Sequence, residues 1–158
     1  MFASVDIRAN EIVAPAYYAT MGFSIPAALG LQIVSGRRPL VLVGDGAFQM
    51  TGPEISHAPE YACNPRHRAL QQFPMEMLQA FFPEAKYNRT VPWPFAALAE
   101  CWGGRGFQVQ TPRQLRKALA AAWRTDCFTL INVALEPGDV SPILRGFIQA
   151  FKQQVSGS

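Results

Sequence analysis

The feature that most constrains the fold is the apolar run of residues 40–43 (LVLV), which leads directly into residues 44–46 (GDG). A continuous apolar run of this length predicts a strand covered on both faces, as in a parallel sheet. The two glycines permit a sharp turn, and a helix is expected over residues 47–61. The sequence therefore predicts a strand–turn–helix unit with Asp45 at the carboxyl end of the strand.

The rest of the chain alternates strand-like and helical segments, which is typical of an α/β domain. The pattern predicts helices over residues 22–34, 111–123 and from Ser141 onward, and strands over 107–109 and 128–133. We therefore predict a three-layer α/β/α sandwich with a mainly parallel sheet. Its expected divisions are a lead-in at 1–12, one domain at 13–154 and a tail at 155–158.

Two of these helices carry specific signals. Thr111, followed by Pro112 and then Gln114, is the pattern of a capping box with proline at the first helical position. The closing helix has a predicted apolar stripe made of Ile143, Leu144, Phe147, Ile148 and Phe151.

Composition argues against several classes of function. The 158 residues carry a net charge of only +3, with no Lys/Arg block longer than Arg37-Arg38, so nucleic acid is not an expected partner. No apolar run reaches the roughly 20 residues that span a bilayer, and the start of the chain lacks a signal region. The three cysteines and two histidines are too few and too scattered for a disulfide framework or a metal cluster. A cytoplasmic protein without a membrane partner is expected.

The Gly44-Asp45-Gly46 turn is the candidate chemical site. A helix that starts here offers free amides to an anion, and Asp45 is placed to hold a divalent metal that bridges phosphate oxygens. Residue chemistry thus indicates a diphosphate bound with magnesium, and the alternative is an ordinary turn that uses glycine for geometry alone. A Rossmann nucleotide site is disfavoured because no G-x-G-x-x-G follows a strand.

Residues 14–30 (APAYYATMGFSIPAALG) and 44–52 (GDGAFQMTG) closely resemble the diphosphate-binding C-terminal domain of thiamine diphosphate-dependent 2-oxo acid decarboxylases. The nearest likeness is to the indolepyruvate and phenylpyruvate type, and it continues to Phe151. The resemblance implies thiamine diphosphate and Mg²⁺ as cofactors and a 2-oxo acid as substrate. Leu78 stands where pyruvate-specific relatives carry glutamate, which favours an aromatic substrate.

The same resemblance implies a role for individual residues. Met21 would be the bulky side chain that bends the cofactor, and Asp45 would be the first magnesium ligand. The implied cofactor-binding residues are Ala19, Thr20, Met21, Gly44, Asp45, Gly46 and Ala47, and the implied metal-binding residues are Asp45, Gln72 and Pro74.

Two departures from the family pattern bear on activity. Gln71-Gln72 replaces an Asn-Asn pair, and Arg66-His67-Arg68 stands where an apolar strand is expected.

The family's pyrimidine-binding domain does not precede Met1, so a homo-oligomer or a partner chain is expected to supply it. We expect the isolated chain to lack decarboxylase activity. The alternative is a non-catalytic remnant or interaction module that keeps the fold without competent cofactor binding.

We predict that residues 66–75 are encoded in a displaced reading frame. Reading the codons of Gln71 and Gln72 one base later gives Asn or Ser at each, and the same shift forces Trp at position 75, directly before Glu76. The shift also allows residues 66–70 to become Val-Ile-Val-Leu-Phe, an apolar strand of the kind a parallel sheet needs. The alternative is genuine drift to a polar loop.

Resequencing the gene tests this prediction. A compensating pair of single-base changes should flank the window, and CAA codons at Gln71 and Gln72 would yield Asn in the restored frame. CAG codons at both positions would yield Ser and would contradict the idea.

Overall fold

The structure is a computed structural model that describes residues 12–15, 17–61, 85–86, 91–135 and 141–156. Its helices are α1 (Ser24–Ser35), α2 (Asp45–Thr51), a 3₁₀ helix (Gly52–His57), α3 (Phe95–Cys101), α4 (Pro112–Arg124) and α5 (Pro142–Ser156). Its strands are β1 (Arg105–Val109) and β2 (Thr129–Val133).

The two strands run parallel, with Arg105 opposite Thr129 and Val109 opposite Val133. Every residue of β2 is buried, because helices cover both faces of the strand. Leu130 packs into a cluster that includes residues of α2 and α3, whereas Ile131 and Val133 pack against α4. A sheet between two helical layers is the predicted α/β/α arrangement, and the fold class is confirmed.

The larger core cluster lies on the α2 and α3 side of the sheet. The rings of Phe48 and Phe95 meet edge to face with centroids 5.3 Å apart, a favourable geometry for aromatic pairs. Phe128 and Leu130 from the β2 region and Ile25 from α1 belong to the same cluster. Burial of these side chains supplies the hydrophobic driving force that fixes α2 against the sheet.

The prediction of a regular strand at residues 40–43 is not confirmed. Leu40 forms a single bridge, and no backbone hydrogen bond joins this run to β2 within the described residues. Val41 and Val43 are buried, but Leu40 and Leu42 are 51% and 42% exposed. The prediction that this run is covered on both faces is therefore wrong. The alternating burial is that of an extended chain, and a regular strand also needs a ladder of paired backbone groups.

The single helix predicted over residues 47–61 is also corrected. The helix begins earlier, at Asp45, and α2 ends at Thr51, where a 3₁₀ helix takes over and is followed by turns to Tyr61. Pro53 explains the change, because proline removes an amide donor and crowds the preceding turn of an α-helix.

The remaining helices match the predictions more closely. α1 ends at Gly36, whose φ of 64° allows its amide to bond the Gln32 carbonyl at 2.8 Å. The α4 capping box is formed as predicted: the Gln114 amide donates to Thr111 Oγ1 at 3.2 Å, and the Thr111 amide donates to Gln114 Oε1 at 3.1 Å.

The closing helix, α5, differs from the prediction in two respects. Of its predicted apolar stripe, Ile148 is buried while Ile143, Phe147 and Phe151 are exposed. The helix also runs to Ser156, so it includes the first two residues of the expected tail. Across the described residues, no helix combines the length and apolar character needed to cross a membrane.

Gly106 should be indispensable for packing α3 on the sheet. A Cβ atom at this position would lie 1.9 Å from the backbone oxygen of Ala96 in α3, so the helix would have to move. We expect Gly106→Ala to lower the free energy of unfolding by about 3 kcal/mol, at the upper end of overpacking costs. Chemical denaturation followed by circular dichroism measures this.

Gly30→Ala is the matched control for Gly106→Ala. Gly30 lies within α1, and a Cβ there meets nothing within 4 Å. Alanine at a helix interior should therefore stabilise the chain by about 0.5–1 kcal/mol. Equal destabilisation by both substitutions would contradict the close approach of α3 to β1.

Candidate functional site

A small cavity lies where residues 40–43 and β2 both reach their carboxyl ends. This is the edge at which parallel α/β sheets place their ligands. The accessible surface of the cavity is apolar, and Asp45 and Asn132 are the polar residues that border it. The cavity is lined by Val43, Gly44, Asp45, Phe48, Phe95, Leu130 and Asn132.

Asp45 enters the cavity from the first position of α2. Its side chain is only 3% exposed, and its Oδ1 accepts a hydrogen bond from the Gly46 amide at 2.8 Å. The first amides of a helix have no partner within the helix, and a carboxylate there complements the helix dipole. The turn thus holds a buried carboxylate where the sequence predicted it.

The segment Ala19–Met21, which the family resemblance assigns to cofactor binding, lies next to the other end of α2. The Thr51 hydroxyl donates to the Gly22 carbonyl at 2.6 Å and ties this segment to the helix. A helix rises about 1.5 Å per residue, so Asp45 and Thr51 lie about 9 Å apart along the axis. The two predicted halves of the cofactor site are therefore separated by the length of one short helix.

The backbone of this segment is unusual. Ala19 has a φ of 46°, in the left-handed region that residues with a side chain seldom adopt, and its amide donates to the Pro15 carbonyl at 2.8 Å. Such conformations cluster at functional sites. Ala19 and Thr20 are exposed, and Met21 is 42% exposed, so Met21 does not serve as core packing.

Asn132 was missed by the sequence reasoning. It is 8% exposed in β2, opposite Gln108 of β1, and its Nδ2 donates to Gln108 Oε1 at 2.6 Å. Its Oδ1 is buried without a hydrogen-bond partner in the part of the chain that the structure describes. The signal available in the sequence was a single amide residue within the otherwise apolar residues 130–133 (LINV).

The buried carboxylate of Asp45 suits magnesium, because carboxylate oxygens are among the hard ligands that Mg²⁺ prefers. Gln72 and Pro74, the other predicted metal-binding residues, lie outside the described residues. Among those described, no group of three His, Cys, Asp or Glu side chains forms a competing metal site.

His57 illustrates a polar cluster that does not belong to the site. It is an exposed residue at the end of the 3₁₀ helix, with Glu54 Oε2 at 3.7 Å from its Nε2 and Glu60 Oε2 at 3.5 Å from its Nδ1. These residues do not line the cavity. An exposed cluster of this kind is an ordinary solvated surface, and contributes little to stability.

The chain matches the family model described as "Thiamine pyrophosphate enzyme, C-terminal TPP binding domain" over residues 3–133. It is 39% identical over 155 residues to an indole-3-pyruvate decarboxylase from Azospirillum brasilense, covering 97% of this chain and 28% of the relative. It is 32% identical to a probable pyruvate decarboxylase from Schizosaccharomyces pombe, covering 75% of this chain and 22% of the relative.

A third relative, an alpha-keto-acid decarboxylase from Mycobacterium tuberculosis, is 29% identical over 87% of this chain and 26% of its own length. The chain thus spans about a quarter of the length of these relatives. The family match covers all the residues that line the cavity, from Val43 to Asn132. The chain belongs to the family of C-terminal, thiamine pyrophosphate-binding domains of thiamine pyrophosphate enzymes.

Proposed function

We propose that residues 13–154 form the part of a cytoplasmic 2-oxo acid decarboxylase that binds the diphosphate of thiamine diphosphate together with Mg²⁺. The observation that carries this proposal is the buried Asp45 carboxylate at the start of α2, in a cavity at the carboxyl edge of the sheet. The similarity to an indole-3-pyruvate decarboxylase and the residue at Leu78 favour an aromatic 2-oxo acid as substrate.

Each end of α2 has a separate task in this proposal. Asp45 binds the metal, while the backbone of Gly44, Gly46 and Ala47 contacts the diphosphate. The left-handed turn at Ala19, with Thr20 and Met21, contacts the aminopyrimidine, and Met21 supports the bent form of the cofactor. Gln72 and Pro74 are proposed to complete the metal site.

Thiamine diphosphate, when bound, supplies the electron sink for loss of carbon dioxide from the 2-oxo acid. The chain's own contribution is to hold the cofactor at two fixed points about one helix length apart. Phe48, Phe95 and Leu130 make the surroundings of Asp45 apolar, and a cation held by this carboxylate would be attracted more strongly there than in bulk water.

We propose that a further domain, from a second copy or a partner chain, completes the site. Tyr17 is fully exposed and Tyr18 is 90% exposed, directly before the turn proposed to hold the aminopyrimidine. Met21 and Met50 are also exposed near this turn. Grouped apolar exposure beside a ligand site marks a surface that another protein surface covers. The isolated chain is accordingly proposed to bind the cofactor without turning over substrate.

The second candidate function is a non-catalytic remnant or interaction module. It is favoured by Gln72 in place of the family's asparagine, because the longer side chain displaces the amide oxygen and Mg²⁺ tolerates poor geometry badly. Calorimetry of thiamine diphosphate with and without Mg²⁺ separates the two functions. Binding that requires Mg²⁺ supports the cofactor domain, and its absence supports the remnant.

Asp45→Asn should abolish Mg²⁺-dependent binding of thiamine diphosphate. The amide keeps the size of the side chain and an oxygen for the Gly46 amide, but it removes the negative charge that attracts the metal. His57→Ala is the control, since His57 lies outside the cavity and should leave the affinity unchanged. Calorimetric binding by Asp45→Asn equal to that of the unmodified chain would overturn the assignment of Asp45.

Thr51→Val should weaken thiamine diphosphate binding about fivefold while leaving Mn²⁺ affinity unchanged. Valine cannot donate to the Gly22 carbonyl, so the turn that carries Met21 loses an anchor worth about 1 kcal/mol. Thr51→Ser retains the hydroxyl and should bind nearly as well as the unmodified chain. An equal loss in both variants would show that the hydroxyl does not position the turn.

A further inference from the structure

Opposite charges lie on the two sides of the sheet. On the side of the larger core cluster, residues 45–61 and α3 contain no Lys or Arg, and their acidic residues are Asp45, Glu54, Glu60 and Glu100. On the other side, α4 contains no Asp or Glu, and its basic residues are Arg113, Arg116, Lys117 and Arg124. The net charge of the chain is only +3, so two copies repel each other little overall.

The basic residues of α4 lie on its solvent side. Arg113, Lys117 and Arg124 recur at four- and seven-residue spacing, away from the buried Ala118 and Ala122. All four basic residues of α4 are exposed, and none makes an ion pair with another described residue. These four residues form one exposed surface, the basic face of α4.

The basic face is unfavourable for the helix by itself. Arg113 and Lys117 are four residues apart and repel each other. Arg113 also lies in the first turn, where the helix dipole favours acidic side chains. Asp126 follows α4 closely but makes no ion pair with it in the described part of the chain. A partner surface of opposite charge would offset these repulsions.

An acidic surface of this kind lies on the other side of the sheet. Glu60 and Tyr61 are exposed at the end of the turns that follow the 3₁₀ helix. A Cβ atom at Gly103 would lie 3.4 Å from Pro59 Cγ, so this segment lies beside the end of α3, where Glu100 is exposed. We name Glu60, Tyr61 and Glu100 the acidic patch. It is solvated in the single chain, so a partner can reach it.

We propose that the basic face of α4 binds the acidic patch of a second copy of this chain. Their charges are complementary, which favours encounter and fixes the orientation of the two copies. Each surface also has an exposed aromatic ring beside its charges, since Trp123 is 51% exposed and Tyr61 is 60% exposed. Aromatic and arginine side chains are enriched at protein interfaces.

The contact joins copies head to tail, because the two surfaces differ and lie on opposite sides of the sheet. Neither surface includes a residue that lines the cavity at Asp45. The contact is also separate from the exposed surface at Tyr17 and Tyr18, which is proposed to be covered by a further domain. The inference therefore goes beyond the proposed function and does not require cofactor binding.

Sedimentation velocity of the full chain, without metal or cofactor, tests the proposal. At about 0.01 M salt the Debye length is about 30 Å, and the average mass should rise with protein concentration. At about 1 M salt the Debye length is about 3 Å, and self-association should weaken at least about tenfold. A chain that remains monomeric at low salt would overturn the proposal and leave the proposed function untouched.

Charge reversal identifies the two surfaces. Arg113→Glu with Lys117→Glu reverses the basic face, and Glu60→Lys with Glu100→Lys reverses the acidic patch. Each double variant should associate with itself at least about tenfold more weakly, because attraction becomes repulsion. Both should retain the fold, which circular dichroism verifies, because all four side chains are exposed. A mixture of the two variants should associate again, since each then meets a surface of opposite charge.

Arg145→Glu with Lys152→Glu is the matched control. Both residues are exposed on α5, outside the two surfaces, and the change in total charge equals that of the basic-face variant. This variant should associate like the unmodified chain. An equal loss in the control would show that association follows net charge and would contradict the proposed contact.

Two further outcomes would also overturn the proposal. One is that reversal of the acidic patch leaves self-association unchanged, or that mixing the two reversed variants fails to restore it. The other is that the chain is monomeric at low salt but binds phosphatidylserine vesicles through the basic face, which would assign α4 to an anionic membrane surface.

Discussion

Burial of β2 on both faces is the constraint from which the other features of the site follow. One face of the strand packs against α4, and the other packs against aromatic side chains of α2 and α3. Leu130 of β2 and Phe48 of α2 belong to one apolar cluster. This packing holds the start of α2 against the carboxyl edge of the sheet. The absence of a side chain at Gly106 lets α3 approach β1 closely enough to place Phe95 in that cluster. The Asp45 carboxylate therefore lies above a rigid apolar floor.

α2 links the two halves of the proposed cofactor site. Its first residue is the proposed metal ligand, and its last residue, Thr51, donates to the backbone at Gly22. Pro53 prevents a regular continuation of the helix and so helps to set its length. The spacing between Asp45 and the Met21 turn thus depends on where one proline ends one short helix.

The extended run at residues 40–43 shows how the sheet edge is organised around this helix. Arg38 Nη2 donates to the Thr125 carbonyl at 2.6 Å, which ties the start of the run to the turn before β2. Val43 and Leu130 then line one cavity, although no backbone hydrogen bond joins the two segments within the described residues. Asn132 of β2 also borders this cavity, and its side-chain amide is hydrogen-bonded to that of Gln108 in β1.

The sequence by itself determined the elements that depend on local chemistry. The Thr111 capping box, the Gly36 helix end and the turn at Asp45 were predictable because each depends on hydrogen bonds or backbone freedom within a few residues. Strand 128–133 was predictable from its continuous apolar character, and the parallel α/β class from the alternation of elements. The residues proposed for the cofactor came from family resemblance in two motifs rather than from periodicity.

Only the tertiary structure decided what depends on distant segments meeting. Asn132 meets Gln108 of β1 and borders the same cavity as Asp45, and no spacing in the sequence encodes that meeting. The same holds for Thr51 and Gly22, which are far apart in the chain but joined by one hydrogen bond. The apolar composition of residues 40–43 predicts a strand buried on both faces, yet the burial of these residues alternates. The burial and pairing of a strand depend on the segments that pack beside it, and apolar composition does not specify those segments.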